Sequence, residues 1–225
     1  MIAAGDRGRL AAWLAVVGGF SALAYFGRFS GGEQPDEPLY LWSSAAAGAI
    51  QFGIFLLLVA LIARGRPFRE YLAVRRPTSW GRAALIAVVV VGLVWLLGLA
   101  LQPVADPGEE QNLIPEGWNP AHAAPFAANF VVVALLAPVV EELLFRGLGY
   151  TLLEPLGRWT AIAVTAAAFA LAHGLVEGFP LLVLFGAGLA YMRARVRSIV
   201  PGILVHIAFN TVVLLAAVRF FQESG

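Results

Sequence analysis

Seven apolar stretches alternate with short polar ones along the 225 residues. They run about 10–29, 39–63, 83–101, 126–153, 159–173, 181–191 and 199–218. A helix needs about 20 apolar residues to cross a hydrocarbon core of about 30 Å, and most of these stretches are that long. The fifth and sixth are short, and Gly178 and Pro180 break the helical pattern between them. Tyr40 and Trp42 stand where interfacial anchors belong. A short interfacial helix is expected over 68–74. The pattern predicts an all-α fold, a polytopic transmembrane bundle of about seven spans. It also predicts a single integral-membrane domain over 1–225, since neither a fixed-period repeat nor a low-complexity segment divides the chain.

Composition agrees. The chain is 60% hydrophobic and 13% charged, too apolar for a soluble domain of this length. It has no Cys, which excludes disulfides, thiolate metal sites and a Cys nucleophile. All 15 basic residues are Arg, and they fall mainly in a few short loops. Arg64, Arg66, Arg69, Arg75, Arg76 and Arg82 face one acid, Glu70, in the second connection. The stretch 103–125 is acidic and Pro-rich, with Asp106, Glu109, Glu110 and Glu116. Seven spans with a cytoplasmic amino terminus put 13 of the 15 arginines on the cytoplasmic side or its edge, leaving Arg28 and Arg219 outside. The expected place is a bacterial plasma membrane. Ala22-Leu23-Ala24 resembles a signal-peptidase site, so cleavage of the first span is an open alternative, although the apolar run continues past it. No basic run is interleaved with aromatics, so no nucleic-acid partner is expected.

The fourth stretch breaks its own pattern. Glu141, Glu142 and Arg146 lie inside it. An ionisable side chain there costs about 2.5–3.5 kcal/mol by insertion scales. Glu142 and Arg146 are four apart, share a helix face and can pair. Glu141 points about 100° away and has no such partner. It is the acid left over for chemistry. Pro138, one turn earlier, should free the carbonyl of Ala134 and kink the span. His173 ends the fifth span, and His206 and Asn210, four apart on the seventh, face one way. Any one of these could simply bond a neighbouring helix. Four polar side chains on three spans cost less if they meet in one wet pocket. By depth, Glu141, His206 and Asn210 agree, whereas His173 sits about 20 Å along its span, toward the outer face. Irregular buried backbone over 175–180 would relieve that. Glu177 could pair with His173 only on a continuous helix, which Gly174 interrupts.

Glu141-Glu142-x-x-x-Arg146, Phe169-x-x-x-His173 and His206-x-x-x-Asn210 together resemble the CAAX protease and bacteriocin-processing family of intramembrane proteases. That family is also called Abi, and its eukaryotic members are type II CAAX prenyl endopeptidases. The resemblance covers about 123–218, the expected protease core, and leaves the first three spans without a motif. It implies that Glu141 is the catalytic glutamate and that Glu142 and Arg146 form a structural pair. His173 would position or activate water, His206 and Asn210 would hold the oxyanion, and Phe169 would pack beside His173. It implies a peptide or protein substrate at the membrane. Its eukaryotic branch implies a lipidated carboxy-terminal tail.

Peptide hydrolysis needs a nucleophile and a stabiliser for the developing oxyanion. Thr165 and Thr211 read as packing residues. Water activated by Glu141 is then the economical nucleophile. In one version Glu141 and His173 activate it without a cofactor. In the other, Glu141, His173 and His206 hold a zinc whose bound water attacks. No His-Glu-x-x-His pattern is present and Asn is a poor zinc ligand, so the metal-free version is preferred. The alternative function is a non-catalytic scaffold or bacteriocin self-immunity protein, for which Glu141 would be dispensable. A proton-relay transporter would show matched broken helices in two halves, and the chain shows none.

Overall fold

The computed structural model describes residues 4–31, 35–105, 110 and 118–220, with side chains up to 216. The expected outer-loop acids Asp106, Glu109 and Glu116, and the side chain of Arg219, lie outside these residues.

Every regular element described is a helix. Helix α1 spans Ala4–Phe29, with Asp6 in its first turn and Arg28 in its last, where the helix dipole favours each charge. A 3₁₀ turn, Pro38–Tyr40, leads into α2, Trp42–Ile62. The expected interfacial helix is one turn, α3, Phe68–Tyr71. Ala73, at φ 55°, turns the chain away soon after it. Helix α4, Trp80–Leu101, is capped by Ser79, whose side chain accepts the Arg82 N–H. Helix α5 covers 123–153 in five consecutive pieces taken up below. Then come α6, Arg158–Ala172, α7, Phe179–Val196, and α8, Val200–Phe220.

Helices α1, α2, α4, α5 and α7 are long and apolar enough to cross a membrane. Helices α6 and α8 are apolar but shorter in the part that is described. Together they are the seven segments that the hydropathy pattern predicts. The chain is a multi-pass integral membrane protein. On α4, Leu85, Val88 and Leu96 are more than 60% exposed. A face like that suits lipid rather than water.

Helix α7 is longer than its hydropathy implies. Pro180 falls in its first turn, where a missing N–H costs nothing. Arg193, expected in a basic loop, is buried within the helix, its guanidinium 5.1 Å from the centroid of the Tyr150 ring. Polar contacts tie the helix ends together. At one end of the bundle Asp6 meets Arg9 at 3.1 Å and Arg66 at 2.8 Å, Arg9 donates to the Ile62 carbonyl, and Arg75 donates to the Arg197 carbonyl. At the other end Arg28 meets Glu110 at 2.6 Å.

Helix α5 contacts α1, α2, α6, α7 and α8, which places it at the centre. Its two motif carboxylates therefore start inside the protein rather than against lipid.

Candidate active site

Helix α5 widens into π winding twice. It is α over Ala123–Phe130, π over Val131–Leu136, α over Ala137–Glu141, π over Glu142–Gly149 and α over Tyr150–Leu153. Such wide turns inside α-helices occur often at functional sites. In the first wide stretch the Ala137 N–H reaches back five residues to the Val132 carbonyl. The next carbonyl, that of Val133, would need the N–H of Pro138, which has none. Asn210 supplies the missing donor: its amide N–H reaches the Val133 oxygen at 2.9 Å. The sequence places the orphan at Ala134; the π register moves it by one residue.

Glu142 and Arg146 form the pair that their spacing predicts. Arg146 Nη1 donates to Glu142 Oε1 at 2.7 Å, and neither side chain is more than 1% exposed. Arg146 Nη2 also donates to the Gly186 carbonyl of α7 at 3.1 Å, and its guanidinium lies 4.3 Å from the centroid of the Phe169 ring. Gly202 of α8 passes so close that a Cβ there would stand 2.9 Å from Glu142 Oε2. Any side chain there would have to displace that carboxylate oxygen.

The approach brings His206 between the two acids. Its Nε2 lies 3.6 Å from Glu141 Oε2 and its Nδ1 lies 3.5 Å from Glu142 Oε1. Both distances exceed a hydrogen bond with good geometry. The imidazole is 3% exposed and meets Phe169 and Phe185 edge-on, at 5.8 and 5.1 Å between centroids. Glu142 Oε2, Arg146 Nε and His206 Nδ1 are buried and make no hydrogen bond to the described residues. A buried polar group left unpaired costs about 1–3 kcal/mol, so a purely structural core has reason to avoid three together.

Phe169 touches all three motifs. Besides Arg146 and His206, its ring lies 4.6 Å from that of His173. The Phe169 carbonyl is 2.8 Å from His173 Nδ1. A carbonyl can only accept, so that ring nitrogen carries the proton, and in the neutral ring Nε2 keeps the lone pair.

His173 and Glu141 line one cavity of about 510 Å³. The rest of its wall is almost wholly apolar, with Val17 and Phe20 from α1 and Phe52 and Phe55 from α2 among the lining residues. Despite the depth conflict foreseen for His173, α6 brings it to the same chamber as the acid. The irregular backbone after it is shorter than expected, covering 174–178, and Glu177 is exposed there. His206 and Asn210 do not line this cavity. His206 sits beside Glu141, and Asn210 is one helical turn further along α8, bonded to α5. Thr165 donates to the Ala161 carbonyl of its own helix at 2.7 Å, a packing role.

Sequence reasoning missed two polar residues here. Gln51 of α2 is the third polar side chain on the cavity wall. It is half-buried and makes no hydrogen bond to the described residues. Glu110 holds the backbone that follows His173. Neither belongs to a motif, and no spacing relates them to the α5 acids. A lone polar residue within the apolar run of α2 was the one available signal for Gln51.

Among the described residues no three His, Asp or Glu side chains are gathered closely enough to share a metal ion. Glu141, His173 and His206, as they stand, do not fit the zinc trio.

Residues 123–212 match the family model described as Rce1-like, the type II CAAX prenyl endopeptidase Rce1-like family. The match contains all three motifs, from Glu141 to Asn210, and excludes α1 to α4. No curated protein and no solved structure matches the chain.

Proposed function

We propose, from the premise that residues 123–212 carry an Rce1-like type II CAAX prenyl endopeptidase domain, that this protein is a glutamate-dependent intramembrane endopeptidase. Its substrate is a peptide segment presented at the membrane, and a lipidated tail is one form of it. The single observation that carries this reading is the cavity of about 510 Å³ shared by Glu141 and His173 within an apolar bundle. That size is ordinary for a ligand pocket, and a peptide segment fits it.

The chemistry follows from the groups present. A water between the Glu141 carboxylate and His173 Nε2 can be polarised by both acceptors. Its oxygen attacks the carbonyl carbon of the scissile amide while its proton passes to Glu141. Collapse of the tetrahedral species breaks the C–N bond, and Glu141 returns the proton to the leaving amine. The oxyanion needs donors. His206 stands within 4 Å of Glu141, and Asn210 keeps a second amide N–H beyond the one given to Val133. Both sit behind the cavity wall, so they act once a bound carbonyl draws the groups together. Catalytic hydrogen bonds often tighten in this way only when substrate binds. Gln51, with one acceptor and two donors, matches a peptide unit and pairs with the substrate backbone.

The arginine-rich end of the bundle, with Arg9, Arg66 and Arg75, faces the cytoplasm of a bacterial cell in this reading. The chain acts as one domain over 1–225, because the cavity draws walls from α1 and α2 as well as from the matched region.

The test compares Glu141→Gln with the parent protein in proteoliposomes on a fluorogenic peptide. The loss of a general base lowers the rate by about 10²–10⁴ while the folded yield is kept. If the Gln protein cleaved at the parent rate, or kept full biological function, the scaffold reading would replace this one. Activity that tracks stoichiometric zinc and vanishes on chelation would restore the metal version.

A further inference from the structure

His173 is followed by Gly174, whose φ of 65° ends the helix. No regular element resumes until Phe179. Backbone that leaves a helix inside an apolar bundle must still satisfy its N–H and C=O groups. Here it does so through two side chains distant in sequence. The Val176 N–H donates to Glu110 Oε1 at 2.7 Å, and the Gly178 N–H donates to Glu110 Oε2 at 2.8 Å. The Tyr25 hydroxyl of α1 donates to the Leu175 carbonyl at 3.0 Å. Arg28, also on α1, offsets the charge of Glu110 from 2.6 Å. The Glu110 side chain is only 3% exposed.

The chemistry of the residue fits the task. Two N–H groups converge, so two acceptor oxygens are needed, and a carboxylate has them. A glutamine would offer one of those N–H groups an NH₂ instead. The turn is also wedged from the side: a Cβ on Gly174 would stand 2.9 Å from the Cβ of Ala24 in α1. With its Nδ1 side fixed by the Phe169 carbonyl and its following backbone fixed by Glu110, His173 has little freedom left. Both restraints are needed, since the residue caps the end of α6, where a helix otherwise frays.

We propose that Glu110, which lies outside the matched region, is a positioning residue for His173: it clamps the turn 174–178 and so holds the imidazole toward the cavity it shares with Glu141. This rests on the peptidase reading above. The variants Glu110→Gln, Glu110→Asp and Arg28→Met test it in proteoliposomes on a cleavable peptide. Glu110→Gln lowers kcat by about 10- to 100-fold, the scale of an ångström-sized misplacement, and leaves KM within about twofold. Glu110→Asp keeps both acceptors and recovers part of the loss. In a His173→Ala background Glu110→Gln causes no further fall, because its effect passes through that ring. Amide hydrogen exchange over 174–178 speeds up in Glu110→Gln. An unchanged kcat with faster exchange would overturn the proposal and leave the clamp purely structural. So would an equal further fall in the His173→Ala background. If Glu110→Gln failed to fold, Arg28→Met still decides: a kcat loss of several-fold at constant KM supports the clamp, and no loss overturns it. Failure of the peptidase reading looks different: the parent protein itself does not cleave, or Glu141→Gln cleaves as well as the parent. The exchange rates report on the turn in either case.

Discussion

Two neighbouring acids in α5 have opposite fates. Glu142 is sealed against Arg146, whereas Glu141 is 14% exposed and faces the cavity. Their substitutions should part accordingly. Glu142→Gln leaves a buried guanidinium without its counter-charge, which costs about 3–5 kcal/mol, read as a lowered midpoint of thermal unfolding in detergent. Glu141→Gln leaves that midpoint nearly unchanged and removes activity. A Glu142→Gln protein as stable as the parent would contradict the structural role. Gln51 gives a third expectation. Replacing it with Leu raises KM by about 2- to 10-fold, the worth of one hydrogen bond, and leaves kcat alone. A KM equal to the parent value would remove Gln51 from substrate binding.

Helix α5 shows how one residue's constraint is solved by another helix. Pro138 removes a donor, the π winding assigns the loss to the Val133 carbonyl, and Asn210 of α8 repairs it. Asn210→Ala should therefore destabilise the protein by about 1–3 kcal/mol through the orphaned carbonyl. Pro138→Ala in that background returns a backbone N–H and should recover most of the loss in unfolding midpoint. No recovery would mean that Asn210 is not there on account of the proline. The apolar runs of α1, α2 and α4 to α8 and the pairing of Glu142 with Arg146 were legible in the sequence, because hydropathy and a four-residue spacing are local. The wide turns were not. The residues of Val131–Leu136 carry no feature that distinguishes π from α winding, and the choice is made by what packs around them. The length of α7 was misjudged for a related reason. Arg193 reads as the end of a span until Tyr150 is seen to cover it.

At the scale of the whole molecule, the matched region holds the acids and imidazoles, and the helices before it build the enclosure. Helix α1 supplies Val17 and Phe20 to the cavity, donates the Trp13 indole N–H to the Leu144 carbonyl inside the second wide turn, and anchors the Glu110 clamp through Arg28. None of this was legible beforehand, because α1 to α4 carry no motif and their partners are distant in sequence, as Trp13 is from Leu144 and Arg28 from Glu110. That polar side chains of separate spans would gather was legible from the cost of leaving each alone in lipid, although depth along the helices set His173 apart from Glu141. That His206 and Asn210 would stand behind the wall rather than on it was not, since spacing gives a helix face but not what lies in front of it. The absence of Cys makes access to the chamber measurable. A single Ala172→Cys variant, on the cavity wall, should react with a water-soluble thiol reagent and be protected by a bound peptide. A thiol there that never reacts would mean that water does not enter.

The most direct measurement is a comparison of kcat for one peptide in four proteins: the parent, Glu141→Gln, His173→Ala and the double variant. If both side chains act on one water in one chamber, each single change lowers the rate by about 10²–10⁴, and the double variant is little worse than the poorer single. Losses that multiply in the double variant, or a Glu141→Gln protein that cleaves at the parent rate, would contradict that account.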